Sequence, residues 1–276
     1  MKLSIITINY NNLEGLKRTY DSVVSQTCQD FEWIIIDGGS TDGSKEFIEE
    51  HQTHFAYWCS EPDKGVYNAM NKGITKAKGE WMNFMNSGDC FYDENTLKKI
   101  FSESLNADLV YGDWVREYHD REEMKEAPKK AFSVTVFFEN VCHQAMFIRS
   151  GILKKRGYDE DMKILADWKR WIEMSLDGCS FQYVHVTVCR FEAETGLSER
   201  WNELHKQEVD VLLDTMPTVI GAKFRKYDEI NLQLWEYKNN PIIGETIRIA
   251  SKGTSYRTKL LHLALIIIRA LEKMLG

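Results

Sequence analysis

The sequence predicts an α/β fold, a mainly parallel central sheet flanked by helices, followed by a helical C-terminal extension. Three observations predict it. Short β-branched runs alternate with amphipathic helical stretches over the first hundred or so residues, the pattern of right-handed βαβ units. Those runs end in loops rich in Asn, Asp, Gly and Ser. Near residue 200 the composition shifts toward helix formers.

In chain order, Leu3 to Ile8 predicts a first strand ending in Asn9, Tyr10, Asn11 and Asn12. Asn12 is a helix cap, with Leu13, Leu16, Tyr20, Val23 and Val24 on one face of a helix reaching about Gln26. Phe31 to Ile36 predicts a second strand, closed by the loop Asp37 to Gly43, and a helix follows from Ser44 to about His51. Phe55 to Ser60 is the third strand. The stretch Glu61 to Asp89 then reads as turn, helix, strand and acidic loop, with Val66, Ala69, Met70, Gly73, Ile74 and Ala77 on one helix face and Glu80 to Met85 as a partly buried strand.

Beyond Asp89, a helix is expected over 94–105 and a strand over 108–115. The charged run 116–130 predicts a solvated loop or hairpin, with a mobile lid as the functional alternative. Ala145 to Arg149 and Phe181 to Val188 predict strands, and Ala166 to Leu176 predicts a helix whose Trp168 and Trp171 suit the core better than a sugar platform. The segment Arg257 to Leu275 sets leucines and isoleucines beside Arg257, Lys259, Arg269 and Lys273. Two readings fit it: a basic amphipathic helix on an anionic membrane surface, or a helix packed on its own domain or across a homodimer.

Composition narrows the function. The 276 residues carry a net charge of −7 with 43% apolar content, which supports a sizeable core and argues against a nucleic-acid partner. The six cysteines form no CxxC pair, as expected of reduced thiols in a cytoplasmic protein. The N-terminal apolar run is too short for a signal peptide, and no stretch reaches the about 20 apolar residues a membrane span needs. A cytoplasmic protein, with peripheral contact to the inner membrane face as an option, is the expectation.

Two acidic loops, Asp37 to Asp42 and Asp89, lie at the carboxyl ends of predicted strands, the edge where parallel sheets bind ligands. DGGS has the wrong glycine spacing for a GxGxxG dinucleotide loop. Its aspartate suits a base or ribose edge, and a pyrophosphate there then needs a cation, for which Asp89 is the nearest candidate. Each of these residues also has a plainer reading, Asp37, Asp42 and Asp89 as turn or cap residues and Asp167 as an N-cap.

SIITINYNN, IIIDGGSTDGS, DKGVYNAMNKGI and FMNSGD, in this order, resemble the family 2 glycosyltransferases with the GT-A fold, over roughly residues 1–200. The resemblance implies a catalytic domain over 1–200 and a helical extension over 201–276. It implies that Thr7, Asn9 and Tyr10 line a nucleotide pocket, that Asp37 meets the uracil or ribose, and that Asp63 and Lys64 lie near base and diphosphate, with Asn68 and Asn71 shaping that wall. Ser87, Gly88 and Asp89 stand where the family has its DxD motif. Ser87 replaces the first carboxylate, which leaves Asp89 as the implied ligand of Mn2+ or Mg2+. Asp167 matches the family's catalytic base, with Ala166 in place of the acid that usually precedes it, and His143 and Gln144 match a segment near acceptor and diphosphate.

The implied activity is inverting transfer from a nucleotide sugar, UDP-linked foremost, to a saccharide or lipid-linked saccharide in surface polysaccharide synthesis. A nucleotidyltransferase is the less fitting enzyme, since INYNN lacks the basic glycine-rich loop it needs. A non-catalytic nucleotide-sugar-binding protein on the same fold is the standing alternative.

Overall fold

The computed structural model describes residues 1–129, 136–137, 141–193, 203–218, 220–222 and 225. The predicted helix at 257–275 lies outside the described residues. Met1–Pro217 forms one compact unit and Thr218–Gly276 a second.

Within the first unit a sheet of nine strands runs in the order β3-β2-β1-β4-β8-β6-β9-β5, with β7 paired to β6. The strands are β1 (Leu3–Asn9), β2 (Phe31–Asp37), β3 (Tyr57–Ser60), β4 (Trp81–Phe84), β5 (Cys90–Phe91), β6 (Leu109–Glu117), β7 (Glu122–Lys125), β8 (Met146–Arg149) and β9 (Phe181–Glu192). Pairing is parallel from β3 through β4 and between β6 and β9. Strands β5, β7 and β8 run against the rest. The helices are α1 (Leu13–Val24), α2 (Ser44–Glu50), α3 (Val66–Lys76), α4 (Thr96–Ser102), α5 (Ser150–Lys155), α6 (Ala166–Leu176) and α7 (Glu203–Thr215).

The expected βαβ alternation is present through β4. Every residue of β1 and β4 is buried, and all of β2 after Phe31, as for strands covered on both faces. Ile5, Trp33, Ile35, Trp81, Val110 and Phe147 share one continuous core, and each such buried side chain contributes on the order of 2 kcal/mol. Trp171, 1% exposed, belongs to the interior, as its place on the α6 face predicts. The charged run after β6 forms a hairpin, Trp114 to Glu117 pairing with Glu122 to Lys125. Its backbone pairs within the hairpin, while Glu117 and Glu122 reach Arg18 and Arg190.

Several features differ from the sequence reading: α5 has no counterpart in it, β9 runs on to Glu192, and the helix expected over 94–105 is shorter. The third strand begins at Tyr57, because Gln52–His54 winds into a short 3-10 turn first. Asp89 is followed directly by the two-residue β5, which pairs with β9; a strand so short carries no periodicity to read. All six cysteines are free, Cys90 and Cys189 buried and the others half-buried. Among the described residues no helix is long and apolar enough to cross a membrane.

Candidate active site

The site forms where β1, β2 and β4 end together. Asn9 and Asp37 are register partners at the ends of β1 and β2, and the loop after β4 is pinned beside them by Ser87 N–H donating to the Ile8 carbonyl at 3.1 Å. This is the carboxyl edge of the parallel half of the sheet.

Asp37 is fully enclosed and organises this edge. Its Oδ1 accepts from Asn9 Nδ2 at 2.7 Å and Ser40 Oγ at 2.5 Å. Its Oδ2 accepts from Ser60 Oγ at 2.6 Å, Ser40 N at 2.9 Å and Gly39 N at 3.2 Å. Burial alone would push this carboxyl up, but the donors from Ser40, Ser60 and Asn9 outweigh it and hold the group below its ordinary value. With both oxygens already engaged, Asp37 holds this edge together from beneath, and its exposed neighbours form the surface. Chief among these is Tyr10, 67% exposed at the end of β1. A Cβ on Gly38 would lie 2.7 Å from Asp63 Oδ2 and 3.1 Å from Tyr10 Cδ2. Glycine there lets Tyr10, Asp63 and the β2 loop close around one space. Asp63 itself accepts from Gly65 N at 2.8 Å, and Lys64 is exposed.

Other expected pocket residues have tasks within the fold. Thr7 is enclosed, and its Oγ1 accepts from Trp33 Nε1 at 2.9 Å, so it faces the core and not the pocket. Asn68 and Asn71 donate to Glu160 at 2.7 and 2.9 Å, and Asn71 also brackets Tyr158, donating to its carbonyl and accepting from its N–H, both at 2.9 Å. On α3 their face turns toward the 158–160 loop, which they fasten, instead of toward a nucleotide wall. Asp42 is a double cap, accepting from Leu13 N at 2.8 Å and Ser44 N at 3.1 Å.

The second half of the site gathers around the 86–89 loop. Gly88 takes φ +104°, a backbone conformation favoured by glycine, and its N–H donates to Thr19 Oγ1 at 3.1 Å. Asp89 is 5% exposed. Gln144 Nε2 donates to its Oδ2, and Glu192 N donates to Oδ1 at 3.1 Å. Burial raises this carboxyl to about 6 despite those donors and the fields of His143 and Arg18.

His143 and Gln144 join this loop to Asp167. Gln144 holds Asp89, while His143 lies 2.9 Å from Asn86 Nδ2 through Nε2 and 3.1 Å from Asp167 Oδ2 through Nδ1. With Asn86 donating to Nε2, Nδ1 is the ring nitrogen that donates to Asp167. Asp167, in the first turn of α6 and 7% exposed, also accepts from Trp168 N at 2.7 Å. The Tyr67 hydroxyl lies 3.1 Å from Asp167 Oδ1 and 2.7 Å from the Ile164 carbonyl, its one proton shared between them. Burial, and then the charge of Asp167, raise the Tyr67 phenol far above its usual range, so it stays protonated. Sequence reasoning missed Tyr67, Thr19 and Asn86. Tyr67 and Asn86 sit inside the quoted motifs, which was the available signal; Thr19, in the middle of α1, gave none.

The residues around Asp89 fit a hard cation in donor type. Asn86 Oδ1 and Ser87 Oγ are buried without partners, so the loop offers unspent oxygens beside the carboxylate. Among the described residues no group of three or more His, Cys, Asp or Glu gathers there or elsewhere as a metal cluster. Substrate and water would have to complete a shell.

Residues 4–164 match the model of glycosyl transferase family 2. The chain belongs to that family. Relatives within it include a PGL/p-HBAD biosynthesis glycosyltransferase of Mycobacterium bovis, 32% identical over 203 residues that cover 71% of this chain and 78% of the relative. An uncharacterized glycosyltransferase of Mycobacterium tuberculosis is 34% identical over 202 residues, 71% of this chain and 76% of its own. The fold is also that of solved structures. Staphylococcus aureus TarS 1–349 in complex with UDP-GlcNAc superposes with a TM-score of 0.66 at 16% identity, over 82% of this chain and 72% of that one. The mannosyltransferase PcManGT of Pyrobaculum calidifontis, in complex with GDP-Man and Mn2+, gives 0.61 at 16% identity over 96% and 80%. The family 2 membership and GT-A fold that the sequence motifs imply are therefore those of this protein.

Proposed function

We propose that this family 2 glycosyltransferase transfers a sugar with inversion from a nucleotide-sugar donor, UDP-linked foremost, to a saccharide or lipid-linked saccharide acceptor in surface polysaccharide synthesis. The observation that carries the reading is the junction of Asp167, through His143 and Gln144, with the Asp89 loop at the carboxyl edge of the sheet. That junction supports a carboxylate base at Asp167 next to a diphosphate site at the Asp89 loop. The donors bound in the solved neighbours, UDP-GlcNAc and GDP-Man, support a nucleotide sugar.

In this mechanism Asp167 takes the proton of the acceptor hydroxyl as that oxygen attacks the anomeric carbon from the face opposite the leaving group. The bond from the anomeric carbon to the phosphate oxygen breaks, its electron pair leaves with the nucleoside diphosphate, and configuration inverts. Tyr67, Trp168 N–H and His143 hold the Asp167 carboxylate in place. Tyr10 offers its ring to the base, with Asp63 and Lys64 beside it. A bound Mn2+ or Mg2+, held by Asp89 with the oxygens of Asn86 and Ser87 at hand, would offset charge on the leaving diphosphate.

The domain assignment follows the same reading: a catalytic domain built on residues 1–200, with α7 of the extension in the same compact unit, and the rest of the extension to 276 associating with the inner membrane face or a second copy. The test is the anomeric configuration of the product, read by NMR coupling after incubation with a panel of UDP- and GDP-sugars and saccharide acceptors. An α-linked donor should give a β-linked product. Retained configuration would rule out single displacement, and UDP binding without any transfer or hydrolysis would favour a binding-only protein.

A further inference from the structure

Helix α6 places Asp167 in its first turn, yet its N-cap, Leu165, supplies no side-chain acceptor. A helix start leaves backbone N–H groups without intrahelical partners. The segment that leads into this start is held from a distant helix. Glu208, in the middle of α7 and 4% exposed, accepts from Lys163 N at 2.5 Å through Oε1, and from Ile164 N at 2.9 Å and Leu165 N at 2.8 Å through Oε2. One buried carboxylate thus takes three consecutive N–H groups, of residues 163–165, in the segment that leads into the helix carrying Asp167. Such charge-assisted bonds are roughly twice as strong as neutral ones, and a negative charge at a helix N-terminus is further favoured by the helix dipole.

The segment so fixed touches both halves of the site. The Ile164 carbonyl accepts from the Tyr67 hydroxyl that also meets Asp167. The Lys163 ammonium donates to the carbonyls of Lys64 at 3.3 Å and Glu160 at 3.2 Å, reaching the loop that borders the pocket. Glu208 itself lies beyond residue 164, where the match to the family model ends.

We propose that Glu208 is a positioning residue for the transfer reaction. Its carboxylate locks residues 163–165, and through them the carboxylate of Asp167 against Tyr67 and His143. This rests on the reading of Asp167 as the base. A purely structural Glu208 would dock α7 and leave the turnover of folded protein unchanged, and the two roles separate in kinetics.

The variants are Glu208→Gln, which offers one acceptor oxygen where two are used, and Glu208→Asp, which keeps the charge but withdraws it by one methylene. Initial rates are measured with whichever of UDP-glucose, UDP-GlcNAc, UDP-galactose and GDP-mannose the wild type turns over best. Amide hydrogen exchange of the substrate-free proteins is followed over peptides spanning 160–170. Glu208→Gln should lower kcat between about tenfold and a hundredfold while donor KM stays within about threefold. Glu208→Asp should recover part of the loss, and exchange should quicken over 160–170 but not in β1 or β2. Unchanged kcat in Glu208→Gln beside an active wild type overturns the proposal alone, as does unchanged exchange. A wild type that binds UDP but turns over none of the four sugars overturns the functional reading and the proposal with it. Should neither variant fold, exchange in the wild type decides: amides 163–165 must be protected like the interior of α6, and fast exchange there refutes the clamp.

Discussion

Replacing Asp37 with Asn should cost this protein more stability than any exchange of equal shape on its surface. The carboxylate is fully enclosed and receives five hydrogen bonds, two at Oδ1 and three at Oδ2. Asparagine keeps the volume but turns one acceptor into a donor. If the amide takes the Oδ2 place, the Ser40 and Gly39 N–H groups face it and cannot turn away. If it takes Oδ1, the Asn9 amide must flip and the Ser40 hydroxyl rotate. Charge-assisted bonds worth about 1.5–3 kcal/mol each become neutral ones of about 0.5–1.5 kcal/mol, offset in part because no charge is then buried. The net loss expected is roughly 2–4 kcal/mol at pH 7, read from urea unfolding with tyrosine and tryptophan fluorescence. The pH dependence carries a second signature. Because the folded state holds Asp37 below its ordinary value, its contribution is complete above the unfolded pKa and is lost as pH falls through the folded one. The gap between wild type and variant should therefore close in acid. A loss under about 1 kcal/mol, or a gap independent of pH, would refute the account of Asp37 as an ionised organiser of the site.

Asp89 should show the opposite sign. Its folded value stands raised from 3.8 to about 6, so in chelator-treated protein its protonation favours the fold below the lower value, and that stability is lost as pH rises through about 6. The difference in melting temperature, wild type minus Asp89→Asn, should fall as pH rises across that window; a difference independent of pH would contradict the assigned burial. Tyr10→Ala should weaken UDP binding by about tenfold or more, the worth of one base–aromatic stack, yet leave the melting temperature unmoved because the ring is 67% exposed. Calorimetric titration checks the first effect, and an unchanged Kd would remove Tyr10 from the nucleotide site.

Much of the fold was legible because the parallel half is built from strands that announce themselves. Leu3 to Ile8 and Phe31 to Ile36 are mostly apolar runs rich in isoleucine, and buried strands read that way. The helix at 166–176 was found to the residue, from the spacing of Ile172 and Met174 around its tryptophans. What escaped was decided by tertiary pairing: β5 has two residues and exists only against β9. The site divides similarly. Asp37 and Asp89 were visible as polar residues in quoted motifs, Asp167, His143 and Gln144 through their match to family positions, and the structure brings Asp89, Asp167, His143 and Gln144 together. The roles of Thr7, Asn68 and Asn71 were not legible, because a side chain's partner depends on which helix or loop crosses it. Thr7 meets Trp33 across β1 and β2, and the two asparagines meet Glu160, a residue far along the chain. Glu208 left no trace in the sequence, since a capping acid 43 residues from Leu165 follows no local pattern.

The central claim is that Asp167 is the base of a sugar transfer, and turnover by Asp167→Asn tests it most directly. Asparagine preserves the contacts to Tyr67 and Trp168 N–H in shape but cannot accept a proton. Removing a general base costs about 10²–10⁴ in rate, so kcat with the best nucleotide sugar and acceptor should fall by that order while the calorimetric Kd for UDP stays within about twofold of wild type. A variant that transfers sugar at the wild-type rate would contradict the assignment of Asp167 and the mechanism built on it.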